Sequence, residues 1–494
     1  MPLKKSPVRR TALTATTSLA GVQIEALKQA AAARAAGKRG FAFYMDMGLG
    51  KTLTTLEEFS RLVLEDRYVT RLLVICPNTF KQGWYKEIRK HGYDFAVHVY
   101  DSRKGMQAQT WMSQTFTKPA VLIMNYEAIR TPKGKTTSKG HAVMRKFITE
   151  KDVMLAIDES VAIKNPRAAQ TKTLLRMPLF DSVRAIRLLS GQPTTQGPHD
   201  FWAQLAIIGA VRESYLSFKH RYCKMGGFKD KVVLGPLNVQ ELADRMKGFV
   251  FKALKDDPQW HLGLPEKTYT DREYNLGPLQ IHYMEMETEF LTWLRNNKGH
   301  VAVEAAITKL MKLQQIQCGF IHKENGDPER LCDDKDNPRL KALLDVLDET
   351  SGKVAICYHH RFVGQQLYDT LSERGLMPVQ ITGGLKPHEI EDVKTRFETD
   401  PSCRVILLQI QAGKYGHTLL GDQGRPIDAC STMIFYQNNF SFDDRSQIED
   451  RIHRIGQKQQ SCLYVDFIGS GTDMQIISAL QRKEAMYNAV MDLV

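Results

Sequence analysis

Three short stretches of this chain carry residue types whose spacing suits phosphate chemistry. The first, Asp46-Met47-Gly48-Leu49-Gly50-Lys51-Thr52, follows the apolar run Phe41–Met45 and precedes a helical pattern with Leu53, Leu56 and Phe59. Glycines allow tight backbone turns, so that successive N–H groups point inward and cradle phosphates at a helix start. Gly48 and Gly50 would shape that cradle, Lys51 would reach the β- and γ-phosphates, and the Thr52 hydroxyl would bind Mg²⁺. The full pattern wants glycine at position 45, where this chain has Met45. The second stretch, Asp158-Glu159, follows the apolar run Val153–Ile157. Carboxylates at the C-terminal end of a parallel strand lie where such sheets bind ligands. Asp158 is expected to hold the metal's water shell, and Glu159 to orient and deprotonate an attacking water. Alone, the pair reads as a solvated turn; the phosphate loop upstream decides for chemistry. The third stretch runs from Gln447 to Gln457, with Arg451 and Arg454 three residues apart and expected on one helix face. Guanidinium forks suit the spread charge of a transferring phosphoryl group. A surface ion-pair network with Glu449 and Asp450 is the alternative, open for Glu449 and weaker for the arginines.

Such groups need a scaffold, and the pattern supplies one. Apolar runs at Phe41–Met45, Leu72–Cys76, Ala120–Met124, Val153–Ile157 and Ala185–Leu189 alternate with helix-length segments. A second series follows at Val354–Tyr358, Val379–Thr382, Val405–Leu408, Thr432–Tyr436 and Leu463–Phe467. Runs of this kind mark parallel strands covered on both faces, so two tandem α/β sheets are expected. Residues 206–345 read as mostly helical, with a turn-rich stretch at Asn325–Pro338. From Gly21 a helical pattern with an Ala-rich stretch runs to Ala36 before Gly37 stops it.

Composition narrows the class. The chain has 494 residues, 43% of them hydrophobic and 25% charged, a balance that suits two or three globular domains. No apolar run approaches the roughly 20 residues of a membrane span, so no membrane partner is expected. Eight cysteines with no CxxC pair exclude a disulfide scaffold and imply a reducing compartment, cytoplasm or nucleoid. The formal net charge of +13 suggests a polyanionic partner. Residues 1–20, with Lys4, Lys5, Arg9 and Arg10, read as a basic flexible tail.

The order of phosphate loop, Asp-Glu box, Ser190-Gly191-Gln192-Pro193 and Gln447-x-x-Asp450-Arg451-x-x-Arg454 resembles helicase superfamily 2. Asp46–Thr52, Ile163-Lys164-Asn165 and above all His453-Arg454-Ile455-Gly456-Gln457 narrow the resemblance to the Swi/Snf-type ATPases. Further matching positions are Cys76-Pro77, Trp84, Glu87, Asn125-Tyr126-Glu127, Leu264-Pro265-Glu266-Lys267 and Ala412-Gly413. The likeness covers the chain from about residue 21. It is similar to compact bacterial or phage members without accessory domains, and a bacterial or phage-infected cytoplasm is expected. The resemblance implies α/β architecture with two tandem RecA-like lobes: 21–263, binding ATP, and 264–494, with a helical insertion at 275–345. It implies ATP and Mg²⁺ as cofactors. It also implies a motor that grips double-stranded DNA by its backbone and steps along it, a monomer that a protein could recruit. Gln23 is similar to the family's adenine-sensing glutamine, with Gln29 a rival, and Gly413 and Gln457 join the nucleotide site. Val161, Gln192 and Thr418 depart from the family's His, Thr and Asn, at positions that couple hydrolysis to the DNA grip.

Loop residues after parallel strands can offer N–H groups and small side chains to phosphates, which position without reading sequence. The candidates are Asn78, Thr79, Lys81, Asn125 and Tyr126 in the first lobe, and His359, His360, Arg361, Gly383, Gln411 and Lys414 in the second. The basic stretch Arg130–Lys139 reads equally as a solvated loop. Trp84, at helical spacing with Ile88, is expected in the core rather than as a base-stacking platform. His359-His360 lack a third ligand in reach, which speaks against a metal there. A strand-separating or fork-remodelling helicase is the second reading, and a non-hydrolysing DNA-binding scaffold a third, disfavoured by the intact Lys51, Thr52, Asp158, Glu159, Arg451 and Arg454.

Overall fold

The apolar runs form parallel strands, and the chain divides into two compact units with the break between Leu262 and Gly263. The computed structural model describes residues 18–64, 68–131, 138–226, 232–255, 257–260, 262–296, 303–323, 325–413, 418–425 and 428–491. Most of the basic tail, Lys133, Lys135 and Lys414 lie outside them. None of the described helices is long and apolar enough to cross a membrane.

In the first unit, β1 (Gly40–Met45), β2 (Arg71–Cys76), β3 (Ala96–Val99), β4 (Ala120–Asn125), β5 (Val153–Asp158) and β6 (Val183–Ser190) lie in one sheet. A short antiparallel hairpin, β7 (Cys223–Gly226) and β8 (Val232–Pro236), stands apart. β9 (Val250–Ala253) then returns to the sheet, giving the order β3-β4-β2-β5-β6-β1-β9 with every pairing parallel. β6 therefore separates the phosphate-loop strand from the carboxylate strand, as in RecA-type sheets. Helices cover both faces: α1 (Gly21–Ala35) packs Val22, Ala26 and Ala30 against Phe41 and Phe43. On the other side α2 (Lys51–Leu64) and α3 (Lys81–Lys90) bury Leu53, Leu56, Phe59, Trp84 and Ile88 against Leu72, Val74 and Ile123. Inside this core Arg187 of β6 forms a bidentate ion pair with Glu58 of α2, Nε to Oε2 at 2.7 Å, both side chains buried.

The second unit begins with β10 (Glu266–Glu273). After the small hairpin β11 (Phe320–His322) and β12 (Pro328–Arg330) come β13 (Lys353–Tyr358), β14 (Val379–Ile381), β15 (Val405–Gln409), β16 (Cys430–Phe435) and β17 (Ser461–Ile468). Its sheet order is β10-β17-β16-β13-β15-β14, again with parallel pairings. Two apolar layers sandwich it, one around Leu343, Val354, Leu367 and Val465, the other around Ile381, Phe397, Ile406 and Ile452.

The expectation of a mostly helical 206–345 is corrected. Helices Tyr215–Tyr222, Val239–Met246, Gln280–Asn296, Val303–Gln317 and the start of Pro338–Glu349 are present, but six strands, β7 to β12, interrupt the segment. β9 is only four residues long, and β10 is an exposed edge strand of mostly polar residues, so neither shows an apolar run. β3 was likewise not anticipated.

Candidate nucleotide site and nucleic-acid-facing loops

The phosphate loop is built from two elements and a glutamine. Lys51 opens α2 directly after Gly50, so the loop feeds the helix N-terminus. Gly48 and Gly50 lie at φ +89° and +83°, conformations that disfavour any side chain. A Cβ on Gly50 would also sit 2.0 Å from Gln23 Nε2. Gln23 does two jobs: its Oε1 accepts the Ala20 amide at 3.0 Å at the start of α1, and its Nε2 donates to Leu49 O at 3.2 Å. Gln29 instead lines an outer groove with Glu25, Phe251 and Trp260, so Gln23 is the glutamine tied to the loop. Asp46 is anchored to the strand end beyond β9, its amide donating to Ala253 O at 3.0 Å and its Oδ2 accepting Lys255 N at 2.9 Å. Lys51 Nζ donates to Met45 O at 2.7 Å. Met45, where the pattern wants glycine, is a fully buried last residue of β1.

Asp158 closes β5, and its carboxylate is buried and held on both oxygens. Trp84 Nε1 donates to Oδ2 at 2.8 Å and the Glu159 amide to Oδ1 at 3.0 Å. Burial raises the pKa of Asp158, countered by the Trp84 hydrogen bond, the Lys51 charge and the Glu159 amide. Glu159 adopts a left-handed backbone at φ 50°, ψ 56°. Gln204, fully buried on helix Phe201–Ile208, joins this turn to its surroundings. Its Oε1 accepts Tyr44 Oη at 3.1 Å and Ser160 Oγ at 2.7 Å, and its Nε2 donates to Pro193 O at 2.6 Å. Gly191, after β6, lies so close that a Cβ would stand 3.5 Å from Lys51 Nζ. Thr54 and Thr55 hydroxyls donate to carbonyls four residues back, whereas the Thr52 hydroxyl makes no hydrogen bond in the described structure. A hydroxyl and a carboxylate are the hard oxygen donors that Mg²⁺ takes, so Thr52 and Asp158 fit it.

The first unit's phosphate-contact candidates separate into two groups. Asn78 and Thr79, in a short 3₁₀ turn after β2, are exposed, and Asn125 is partly so. Lys81 is partly buried and already spends one of its three N–H donors on Tyr100 O at 2.8 Å, and burial lowers its pKa. Tyr126 is corrected from a surface contact to a buried residue, 4% exposed, whose hydroxyl donates to Asp158 O at 2.6 Å. The apolar strand before it and the polar residues around it hid that inward turn.

In the second unit the helix Phe442–Glu449 ends before the arginines, so Arg451 and Arg454 do not share a helix face. The chain turns there: the Arg451 amide returns to Ile448 O at 2.9 Å and the Gln457 amide to Arg454 O at 3.0 Å. Arg451 is 2% exposed, with Nε donating to Gln447 O at 2.7 Å. Arg454 is more accessible and donates from Nη1 to Thr418 Oγ1 at 2.8 Å; burial lowers its pKa, and Asp450 opposes that. Glu449 belongs to a buried network, accepting Lys267 Nζ at 3.1 Å, Tyr269 Oη at 2.8 Å and Arg445 Nε at 2.7 Å. Gln457 is likewise structural, its Nε2 donating to Cys430 O at 2.9 Å and Ile452 O at 3.1 Å. Gly413 is buried at the end of the turn Ile410–Gly413.

The remaining candidates cluster at strand ends. Two glutamines that sequence reasoning missed organise them. Gln437 Oε1 accepts the amides of His359 and His360 at 2.9 and 3.1 Å; Gln409 Oε1 accepts the Gly383 amide at 2.8 Å. Those three amides are therefore committed inside the protein. Arg361 and Gln411 are exposed, with Arg361 Nη2 3.5 Å from Gly383 O. Among the described residues no group of three or more His, Cys, Asp or Glu is arranged to hold a metal ion.

Fold and site together define a P-loop protein of RecA type, with one strand, β6, between the phosphate-loop strand and the strand that ends in the carboxylate pair. The model of the SNF2-related domain matches residues 22–320, and the chain belongs to that family. It is 23% identical over 460 residues to the DNA annealing helicase and endonuclease ZRANB3 of Mus musculus, covering 89% of this chain and 38% of the relative. It is 27% identical over 423 residues to the SWI/SNF-related matrix-associated actin-dependent regulator of chromatin subfamily A-like protein 1 homolog of Caenorhabditis elegans, covering 84% and 54%. The chain thus spans from about a third to about half of these two relatives. The Sulfolobus solfataricus SWI2/SNF2 ATPase core in complex with dsDNA overlays with a TM-score of 0.43 at 22% identity, covering 96% of this chain and 93% of that one.

Proposed function

We propose that this chain is an ATP-dependent motor on double-stranded DNA, which hydrolyses ATP and tracks along the duplex backbone without reading sequence. The observation that carries the reading is the preorganised loop at the start of α2, where Gly48 and Gly50 take left-handed conformations beside Gln23 and Lys51. Family membership supports hydrolysis, and the names of the relatives point to DNA as the substrate. Lys51 neutralises the β- and γ-phosphates, and the α2 N-terminus adds its amides. Thr52 and Asp158 would hold Mg²⁺, which when bound supplies charge neutralisation between the phosphates. Glu159 orients the attacking water, and Arg454, rather than the buried Arg451, supplies a guanidinium to the transferring phosphoryl group. The exposed Asn78, Thr79, Arg361 and Gln411, with the partly exposed Asn125, are the groups that would meet DNA phosphates.

Steady-state ATP hydrolysis with no nucleic acid, duplex DNA, single strands, forks and RNA tests the reading. Duplex DNA is expected to raise kcat severalfold over every single-stranded polymer. Equal rates with and without duplex would overturn the motor. Rapid hydrolysis coupled to release of a displaced strand would favour strand separation.

A further inference from the structure

Two aromatic side chains reach the Asp158-Glu159 turn from different elements. Trp84 of α3 is 2% exposed, and its indole N–H donates to Asp158 Oδ2 at 2.8 Å. Tyr126, just after β4, donates its hydroxyl to Asp158 O at 2.6 Å and also reaches Glu159 O at 3.3 Å. Between them Glu159 holds its left-handed backbone, one of three non-glycine residues with positive φ in the described structure. Such a conformation costs roughly 1–2 kcal/mol and persists only where the surroundings over-determine it.

We propose that Trp84 and Tyr126 are positioning residues for hydrolysis. Trp84 fixes the rotamer of the carboxylate that would hold Mg²⁺, and Tyr126 fixes the backbone turn that aims Glu159. The inference rests on the reading of this chain as an Mg²⁺-dependent ATPase. Asp158 receives one N–H on each oxygen, which sets the plane of the carboxylate and leaves a second lone pair on each for a metal or its water. With phenylalanine at 84, Oδ2 would lose its donor in a buried setting and the carboxylate would be released to rotate. Partners one shell out from a metal typically change its affinity or the activity by about 10–100-fold when removed. Trp84 also fills the core with Leu56, Phe59 and Ile123, so the two roles must be told apart.

Calorimetric titration of the full chain with ADP, in excess Mg²⁺ and in chelator, separates them. Wild type is expected to bind ADP more tightly with Mg²⁺. Trp84→Phe is expected to keep metal-free ADP affinity within about twofold while losing about tenfold of the gain that Mg²⁺ brings. Tyr126→Phe removes a single oxygen and is expected to lower kcat about tenfold, with KM for ATP and the thermal midpoint nearly unchanged. The inference is overturned if Trp84→Phe weakens ADP equally with and without metal, the mark of core filling. It is also overturned if both variants match wild type. Should wild type bind ADP no better than Lys51→Ala under either condition, the ATPase reading itself falls, and the inference with it.

Discussion

Single atoms decide much of the nucleotide site. Gly50 has no room for a methyl group and no freedom for one, because Gln23 Nε2 occupies the space and φ is +83°. Gly50→Ala should therefore weaken nucleotide binding by at least about tenfold while the fold survives, measured by titration with a fluorescent ATP analogue. Reversion of the clash alone, in Gly50→Ala with Gln23→Ala, should recover only part of the loss, since the backbone strain remains. Arg454 is the accessible arginine of its pair, so Arg454→Ala should cut kcat by about 10³-fold or more with little change in KM for ATP. Turnover close to wild type would remove it from the chemistry.

At the scale of elements, buried polar contacts lock helices onto sheets. The Glu58–Arg187 pair joins α2, which carries Lys51, to β6, which leads to Gly191. Removing one partner strands the other charge in the core, so Glu58→Gln should destabilise the first unit by about 3–5 kcal/mol, read from urea unfolding. The loop after β13 carries a pH sensitivity. Burial, then the neighbouring His359 and His322, push the pKa of His360 down to about 3 from 6.5. The folded state thus refuses a proton that the unfolded chain accepts, so stability present above about pH 6.5 is lost as the pH falls toward 3. A loss on the order of 1–2 kcal/mol between pH 7 and pH 5 is expected from this residue, and His360→Gln should flatten that part of the unfolding curve.

For the molecule as a whole, contacts to phosphates predict how it holds DNA. If the exposed side chains at the strand ends carry the grip, log K for duplex DNA should fall by about 0.9 per phosphate neutralised for each log unit of salt, equally for unrelated sequences. Arg361→Ala should lower that slope by about one unit, and a slope unchanged by the substitution would place the grip elsewhere. Most of the machinery was legible in the linear order of residues. Glycine spacing, a lysine at a helix start and carboxylates closing an apolar run are local features, and most strands of the two sheets announced themselves because parallel strands covered on both faces are apolar throughout. The charged edge strand β10 and the four-residue β3 and β9 carried no such pattern. What only the tertiary structure decided is which buried donor meets which acceptor. Trp84 meets Asp158 from 74 residues away, Gln204 meets Ser160 from 44, and Gln437 takes the amides of His359 and His360 from nearly 80. Periodicity reports that a side chain faces inward. It is silent on the partner, because pairing a buried polar group depends on the close packing of elements that the chain joins only in three dimensions.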